Sequence, residues 1–297
     1  MTQSHWYVLV VYLIFTAIAT LLALARRWFR PNATGESVWR KYPTYIVINL
    51  TFLAAGWLPH EWHVLTILLA ALGGLASWEI AHTLTAWKGL PALTALLIVA
   101  ADWVEIDSLI SLWLIVILSC TVMSALTSQT DQLGRQMLSL AGGLGYVPIC
   151  LVAFVWIWKT DPDGFLTAFL YLVIATNDAL AQITGQLLGQ RQLAPRLSPA
   201  KTVEGAVGGI LFASGIGSAL SPIIGLGYVT GGLLGLGLGL AGLGGDLTAS
   251  AWKRALSLKN FSGLMGPQGG VLDRFDGLFF AAPVFYLFVV YVRGVYF

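Results

Sequence analysis

The sequence predicts an all-α, polytopic integral membrane bundle of about ten transmembrane helices, on three observations. Of its 297 residues, 57% are hydrophobic and only 10% charged, far from the balance of a water-soluble domain. Apolar runs approaching the roughly 20 residues that cross a hydrocarbon core recur along the whole chain, parted by short polar stretches. With the N-terminus outside, every Lys and Arg except Lys159 and Arg293 falls in an inside loop, a bias that would collapse if one span were added or removed. The whole chain, 1–297, therefore reads as a single membrane domain, with N-terminal spans over about 1–164 and chemistry-bearing spans and loops over about 165–297.

The first span, 6–25, follows a start without a basic n-region and shows no small-residue cleavage site, so it reads as a retained helix rather than a removed leader. Apolar runs then place spans at 44–58, 64–80, 90–101, 109–126 and 137–158. Further runs follow at 165–188, 206–220, 223–244 and 278–292. Those beside Pro59, Pro91 and Pro222 are short for a full crossing and suit tilted or re-entrant segments. The outside loops carry Glu61, Asp102, Glu105, Asp107, Asp161 and Asp163. Trp28 with Trp39, and Trp57 with Trp62, stand at span ends, where amphipathic rings anchor at headgroup depth. Cys120 and Cys150 lie inside apolar runs and read as small buried hydrophobes. Glycines crowd the ninth span up to Gly244 and Gly245, as close helix packing requires; for those two, a backbone approach to a phosphate is the alternative.

Two polar segments interrupt this pattern. In the first, Asn177 and Asp178 sit on a span, and Asp178, Gln182 and Gly185 share one helix face; an ionisable residue there is expensive and points to function, or else to an interhelical hydrogen bond. Ser198-Pro199 resembles a helix start, and Lys201, Thr202 and the amides before Gly205 suit an anionic group, although Lys201 and Glu204 also fit a simple ion pair. In the second, Asp246, Ser250, Lys253 and Ser257 follow i, i+4, i+7, i+11 spacing along one face, and Arg254 follows Lys253. After a glycine-rich turn come Asp273, Arg274 and Asp276, the two carboxylates at i, i+3. Several aspartates among several Lys and Arg suit Mg²⁺ and polyphosphate, because a hard cation takes oxygen ligands and shares them with phosphates. A solvated loop whose charges meet lipid headgroups is the plainer alternative.

On these residues the chain resembles the CTP-dependent phosphatidate cytidylyltransferases, also called CDP-diacylglycerol synthases. The family pattern runs Ser, two residues, Lys-Arg, four residues, Lys-Asp, a Pro-Gly-His-Gly-Gly-like turn, then Asp-Arg, one residue, Asp. It falls here on Ser250, Lys253-Arg254, Lys259-Asn260, Pro267-Gln268-Gly269-Gly270, Asp273-Arg274 and Asp276. The run Ser198-Pro199-Ala200-Lys201-Thr202-Val203-Glu204-Gly205 is similar to a second family element. Asn260 stands where the pattern has aspartate and Gln268 where it has histidine, departures that leave open a principal enzyme or a divergent paralogue.

The resemblance implies a Mg²⁺-dependent nucleotidyltransferase that joins CTP to phosphatidate and releases pyrophosphate. It implies Asp246 and Asp273 as metal ligands, with Asp276 nearby. Lys253, Arg254 and Arg274 would bind the triphosphate or the leaving pyrophosphate; Ser198, Lys201, Thr202 and Glu204 would position the lipid phosphate or nucleotide; Asn177 and Asp178 would line the cavity, and Ser250 would bind substrate. The competing readings are a CTP-dependent lipid kinase, a cytidylyltransferase for an isoprenoid-type lipid, and a transporter using Asp178. Membrane lipids are expected partners and nucleic acid is not; the glycine-rich faces are compatible with a homodimer. A bacterial inner membrane with the charged loops cytoplasmic is the expected location.

Overall fold

The computed structural model describes residues 3–29, 36–84, 88–104, 140–161, 163–266 and 269–293. Within them the chain forms α1 (Gln3–Phe29), α2 (Glu36–Trp57), α3 (Val64–Thr83), α4 (Leu90–Trp103), α5 (Val147–Lys159), α6 (Phe165–Leu188), α7 (Val203–Leu220), α8 (Tyr228–Ala255) and α9 (Val271–Arg293). A π-helical turn, Ala141–Tyr146, leads into α5, and a small antiparallel hairpin of β1 (Gln192–Ala194) and β2 (Ser198–Thr202) joins α6 to α7. Among the described residues, seven helical stretches are long and apolar enough to cross a membrane, and Pro43–Trp57 and Leu90–Trp103 supply two shorter ones. The expected spans on described residues are therefore helices. The span at 109–126 lies outside the described residues, as do Glu105, Asp107, Cys120, Arg135, Pro267 and Gln268 and the side chains at 25–42, including Trp28 and Trp39.

Hydropathy and helix ends part company at the polar segments. The ninth expected span stops at 244, yet α8 runs on to Ala255, because Ala, Leu, Lys and Arg keep a backbone helical after the apolar run has ended. Lys253 and Arg254 then close α8 at the negative end of its dipole. Ser257 lies beyond the helix with φ of 58°, so the expected stripe Asp246, Ser250, Lys253, Ser257 ends at Lys253. The last span begins at Val271 rather than 278, which puts Asp273 in the first turn of α9. Ser198-Pro199 does not start a helix. It opens β2, and Thr202 is the N-cap of α7, its Oγ1 accepting the Gly205 N–H at 3.1 Å. Pro199 biases Ser198 toward extended backbone, which suits a strand.

The chain gathers into two compact units: Met1–Ala54, Asp163–Leu258 and Asp276–Ala281 form one, and Ala55–Pro162, Lys259–Phe275 and Ala282–Phe297 the other. In the first, α7 meets α6 and α8 at backbone contact. A Cβ on Gly209 would stand 2.6 Å from Ala181 Cβ, one on Gly217 would stand 2.6 Å from the Gly231 carbonyl oxygen, and one on Gly235 would overlap the Ala213 carbonyl. Close packing is thus the reason for the glycines at 231 and 235, as lipid-embedded helices use them. In the second unit, the carbonyl of Gly143 in the π turn accepts the Thr94 hydroxyl at 2.7 Å and that of Ser77 at 3.2 Å, side-chain donors from α4 and α3. Asp102 ties α3 to α4, accepting from Thr66 Oγ1 at 2.8 Å and lying 2.6 Å from His63 Nδ1. Cys150 is buried, as a small hydrophobe in an apolar run should be.

Candidate active site

In the first unit the site grows from α6. Asn177 is 4% exposed, and glycines on both neighbours make room for its amide: a Cβ on Gly209 would lie 3.1 Å from Asn177 Oδ1, and one on Gly239 3.2 Å. Asp178, half-buried beside it, accepts from Asn177 Nδ2 at 3.3 Å. On α8, Gly245 lies against the backbone carbonyl of Asp276, so its missing side chain serves helix packing rather than an anion. Asp246 follows and forms an ion pair with Lys201 Nζ from β2. Asp276 is 5% exposed, and its Oδ1 accepts the Gly277 N–H at 2.8 Å. The charges acting on Asp276 are those of Asp246, Asp178, Lys201 and Lys253. Ser250, buried, stands one turn beyond Asp246. The structure thus brings together Asn177, Asp178, Lys201, Asp246, Lys253 and Asp276, three carboxylates facing two ammonium groups in a setting where charges act strongly.

The hairpin residues have definite local duties. Glu204 accepts the backbone N–H groups of Gln190 at 3.0 Å and Arg191 at 3.2 Å, and the Arg191 Nε–H at 3.0 Å, fastening the entry of β1 to the first turn of α7. Thr202 caps that helix, and Ser198 begins β2. Arg254 is exposed; its Nε donates to the Leu197 carbonyl at 3.0 Å and its guanidinium nitrogen to the Leu258 carbonyl at 2.8 Å. These contacts hold in place the strand that delivers Lys201 to Asp246.

In the second unit, Asp273 Oδ2 accepts the N–H groups of Phe261 and Gly270, each at 2.9 Å. Gly269 has φ of +86°, a region that glycine enters without penalty, and a Cβ there would stand 2.8 Å from Asp273 Oδ2. Arg274 is half-buried beside it. The sequence reading missed Glu79. This α3 carboxylate is 0% exposed; Oε1 accepts the Ser262 hydroxyl at 2.6 Å and the Val271 N–H at 2.8 Å, while Oε2 accepts the Leu272 N–H at 2.9 Å. The signal was present: an acidic residue in an apolar run is expensive unless satisfied. It stood at the expected end of span 64–80, where a charge excites no suspicion.

Among the described residues no group of three or more His, Cys, Asp or Glu forms a metal-binding cluster. Asp178, Asp246 and Asp276 offer oxygen atoms, the donor type that a hard divalent cation takes, without closing into such a cluster here.

The model of the cytidylyltransferase family matches residues 39–292. The phosphatidate cytidylyltransferase of Bacillus subtilis is 30% identical over 257 residues, which are 81% of this chain and 92% of that protein. That of Aquifex aeolicus is 41% identical over 144 residues, 48% of this chain and 54% of its own length. The uncharacterised Escherichia coli protein YnbB is 40% identical over 132 residues, 43% of each chain. The chain spans about half the length of the last two relatives. With a family match over most of its length and a relative 30% identical across 81% of it, the chain belongs to the cytidylyltransferase family.

Proposed function

We propose that this protein transfers CMP from CTP to phosphatidate, giving CDP-diacylglycerol and pyrophosphate. The observation that carries the reading is the convergence of Asp178, Asp246 and Asp276 with Lys201 and Lys253 inside a membrane bundle. The names of the Bacillus and Aquifex relatives support the choice of substrates. A phosphate monoester oxygen of phosphatidate is already a nucleophile, so no covalent enzyme intermediate is needed. It forms a bond to the α-phosphorus of CTP as the bond from that phosphorus to the β-phosphate oxygen breaks, and pyrophosphate leaves. The protein aligns the two anions and neutralises the charge that develops between them.

Asp246, with Asp276 close by and Asp273 added by the sequence motif, would hold Mg²⁺. Bound there, Mg²⁺ supplies Lewis-acid neutralisation of phosphate charge. Lys201 and Lys253 act as point charges on phosphate oxygens, and Arg254 and Arg274 offer planar two-pronged contacts when they engage the nucleotide. Asn177 presents an uncharged amide where three helices meet, Ser250 adds a hydroxyl, and Ser198, Thr202 and Glu204 position the hairpin. A two-tailed lipid and a soluble nucleotide meet only where a water-facing cavity also opens to the bilayer. The bias of Lys and Arg supports a cytoplasmic side for the charged loops, and acyl chains would lie against exposed apolar side chains such as Leu233 and Leu240.

The test is to incubate the detergent-purified protein with Mg²⁺, labelled CTP and phosphatidate, and to follow CDP-lipid and pyrophosphate together. Equal amounts of both are expected. CDP released with a phosphorylated lipid would show phosphoryl transfer and sink the proposal.

A further inference from the structure

The buried carboxylate of Glu79 belongs to the second unit, and its contacts are concentrated on the residues beside Asp273. Glu79 takes the N–H groups of Val271 and Leu272 together with the Ser262 hydroxyl. Asp273 takes those of Gly270 and Phe261. The segment from 270 to 272 is therefore held by two carboxylates, one from α3 and one from its own helix. Together they satisfy N–H groups that the first turn of a helix leaves without intrahelical partners, at the end where a negative charge is favoured. Gly270 belongs to the same device: a Cβ there would overlap Oε1 of Glu79 and stand 2.6 Å from its Cδ, so a side chain at this position would force the carboxylate off its two amides.

We propose that Glu79 is a positioning residue for the reaction, fixing the first turn of α9 and thereby the direction in which Asp273 presents its carboxylate. The inference rests on the reading of Asp273 as a metal ligand. Gly270-Val271-Leu272 has no other side-chain hydrogen bond among those described that fixes it from outside its own helix. If that turn shifts, the oxygen of Asp273 anchored on Gly270 shifts with it. The glycine pair at 269 and 270 then has two separate purposes: Gly269 for a left-handed backbone, Gly270 for the approach of Glu79.

The test compares the parent chain with Glu79→Gln, whose amide group replaces one of the two acceptor oxygens, and with Ser262→Ala, which removes one donor and leaves the charge. Three readouts are taken in detergent, well below the thermal midpoint of each variant. Hydrogen exchange in peptides covering 259–275 is expected to quicken at least tenfold in Glu79→Gln, with peptides of α7 unchanged. Mn²⁺ binding, followed by electron paramagnetic resonance, is expected to weaken at least fivefold. In turnover, kcat falls at least tenfold and half-saturating Mg²⁺ rises in step, while KM for phosphatidate stays within twofold. Ser262→Ala moves each readout the same way by less. Faster exchange with unchanged Mn²⁺ binding and kcat would make Glu79 a fold fastener only and overturn the proposal, as would unchanged exchange. Should the parent make no CDP-lipid, the proposed reaction fails, while exchange and Mn²⁺ binding still decide the role of Glu79.

Discussion

Asp276 concentrates the cost and the use of the site in one side chain. It is nearly out of contact with solvent and sits near two other carboxylates, so its charge is repelled by Asp246 and Asp178 and tolerated through Lys201 and Lys253. Asp276→Asn keeps the shape and removes the repulsion. Its thermal midpoint in detergent is expected to be no lower than the parent's, while turnover falls at least 100-fold, roughly 2.7 kcal/mol in barrier. Lys201 presents the opposite case. Lys201→Met leaves Asp246 without its ion-pair partner, and both stability and turnover are expected to drop. Adding Asp246→Asn should restore the midpoint but not the turnover, a non-additivity that calorimetry and the product assay read separately.

At the scale of elements, the glycine-lined contact of α7 with α8 sets the distance between the two helices. A methyl group on Gly235 would run into the Ala213 backbone, whereas one on Gly237 meets nothing within 4 Å. Gly235→Ala is therefore expected to cost about 1 to 3 kcal/mol, with a lowered midpoint. Gly237→Ala, gaining helix propensity, should be neutral or stabilising by up to about 1 kcal/mol. The same elements show what the sequence made legible. Spans were readable because crossing a membrane demands an apolar run of fixed length; Asp178, with Asn177 beside it, drew notice because a charge on a span is costly, and Lys201, Asp246, Lys253 and Asp276 because opposite charges cluster in two polar segments, several of them at helical spacing. The run of α8 to Ala255, the earlier start of α9 and the strand at Ser198 were not readable. Helix continuity depends on backbone hydrogen bonds that persist after hydropathy changes sign. Glu79 was hidden for another reason: its partners, Ser262, Val271 and Leu272, are far away in sequence, and no local spacing announces them.

For the whole molecule, the distribution of Lys and Arg predicts which loops face which side. With Cys120 and Cys150 replaced by alanine, Arg196→Cys is expected to react with an impermeant maleimide only in inverted membrane vesicles, and Glu61→Cys only in right-side-out ones; both positions are exposed. Labelling of the two from the same side would reject the orientation. The buried contact of Glu79 also has a consequence in time. Its donors lie 183 to 193 residues further along the chain, so at about 5 to 20 residues per second a nascent polypeptide carries this carboxylate for roughly 10 to 40 s before the groups that satisfy it have been made. During that interval α3 has a reason to stay near water or the translocation machinery. A chain cut short before α9 would keep the Ser262 hydroxyl but lack the Val271 and Leu272 amides, and its Glu79 carboxylate would be left with one of its three donors.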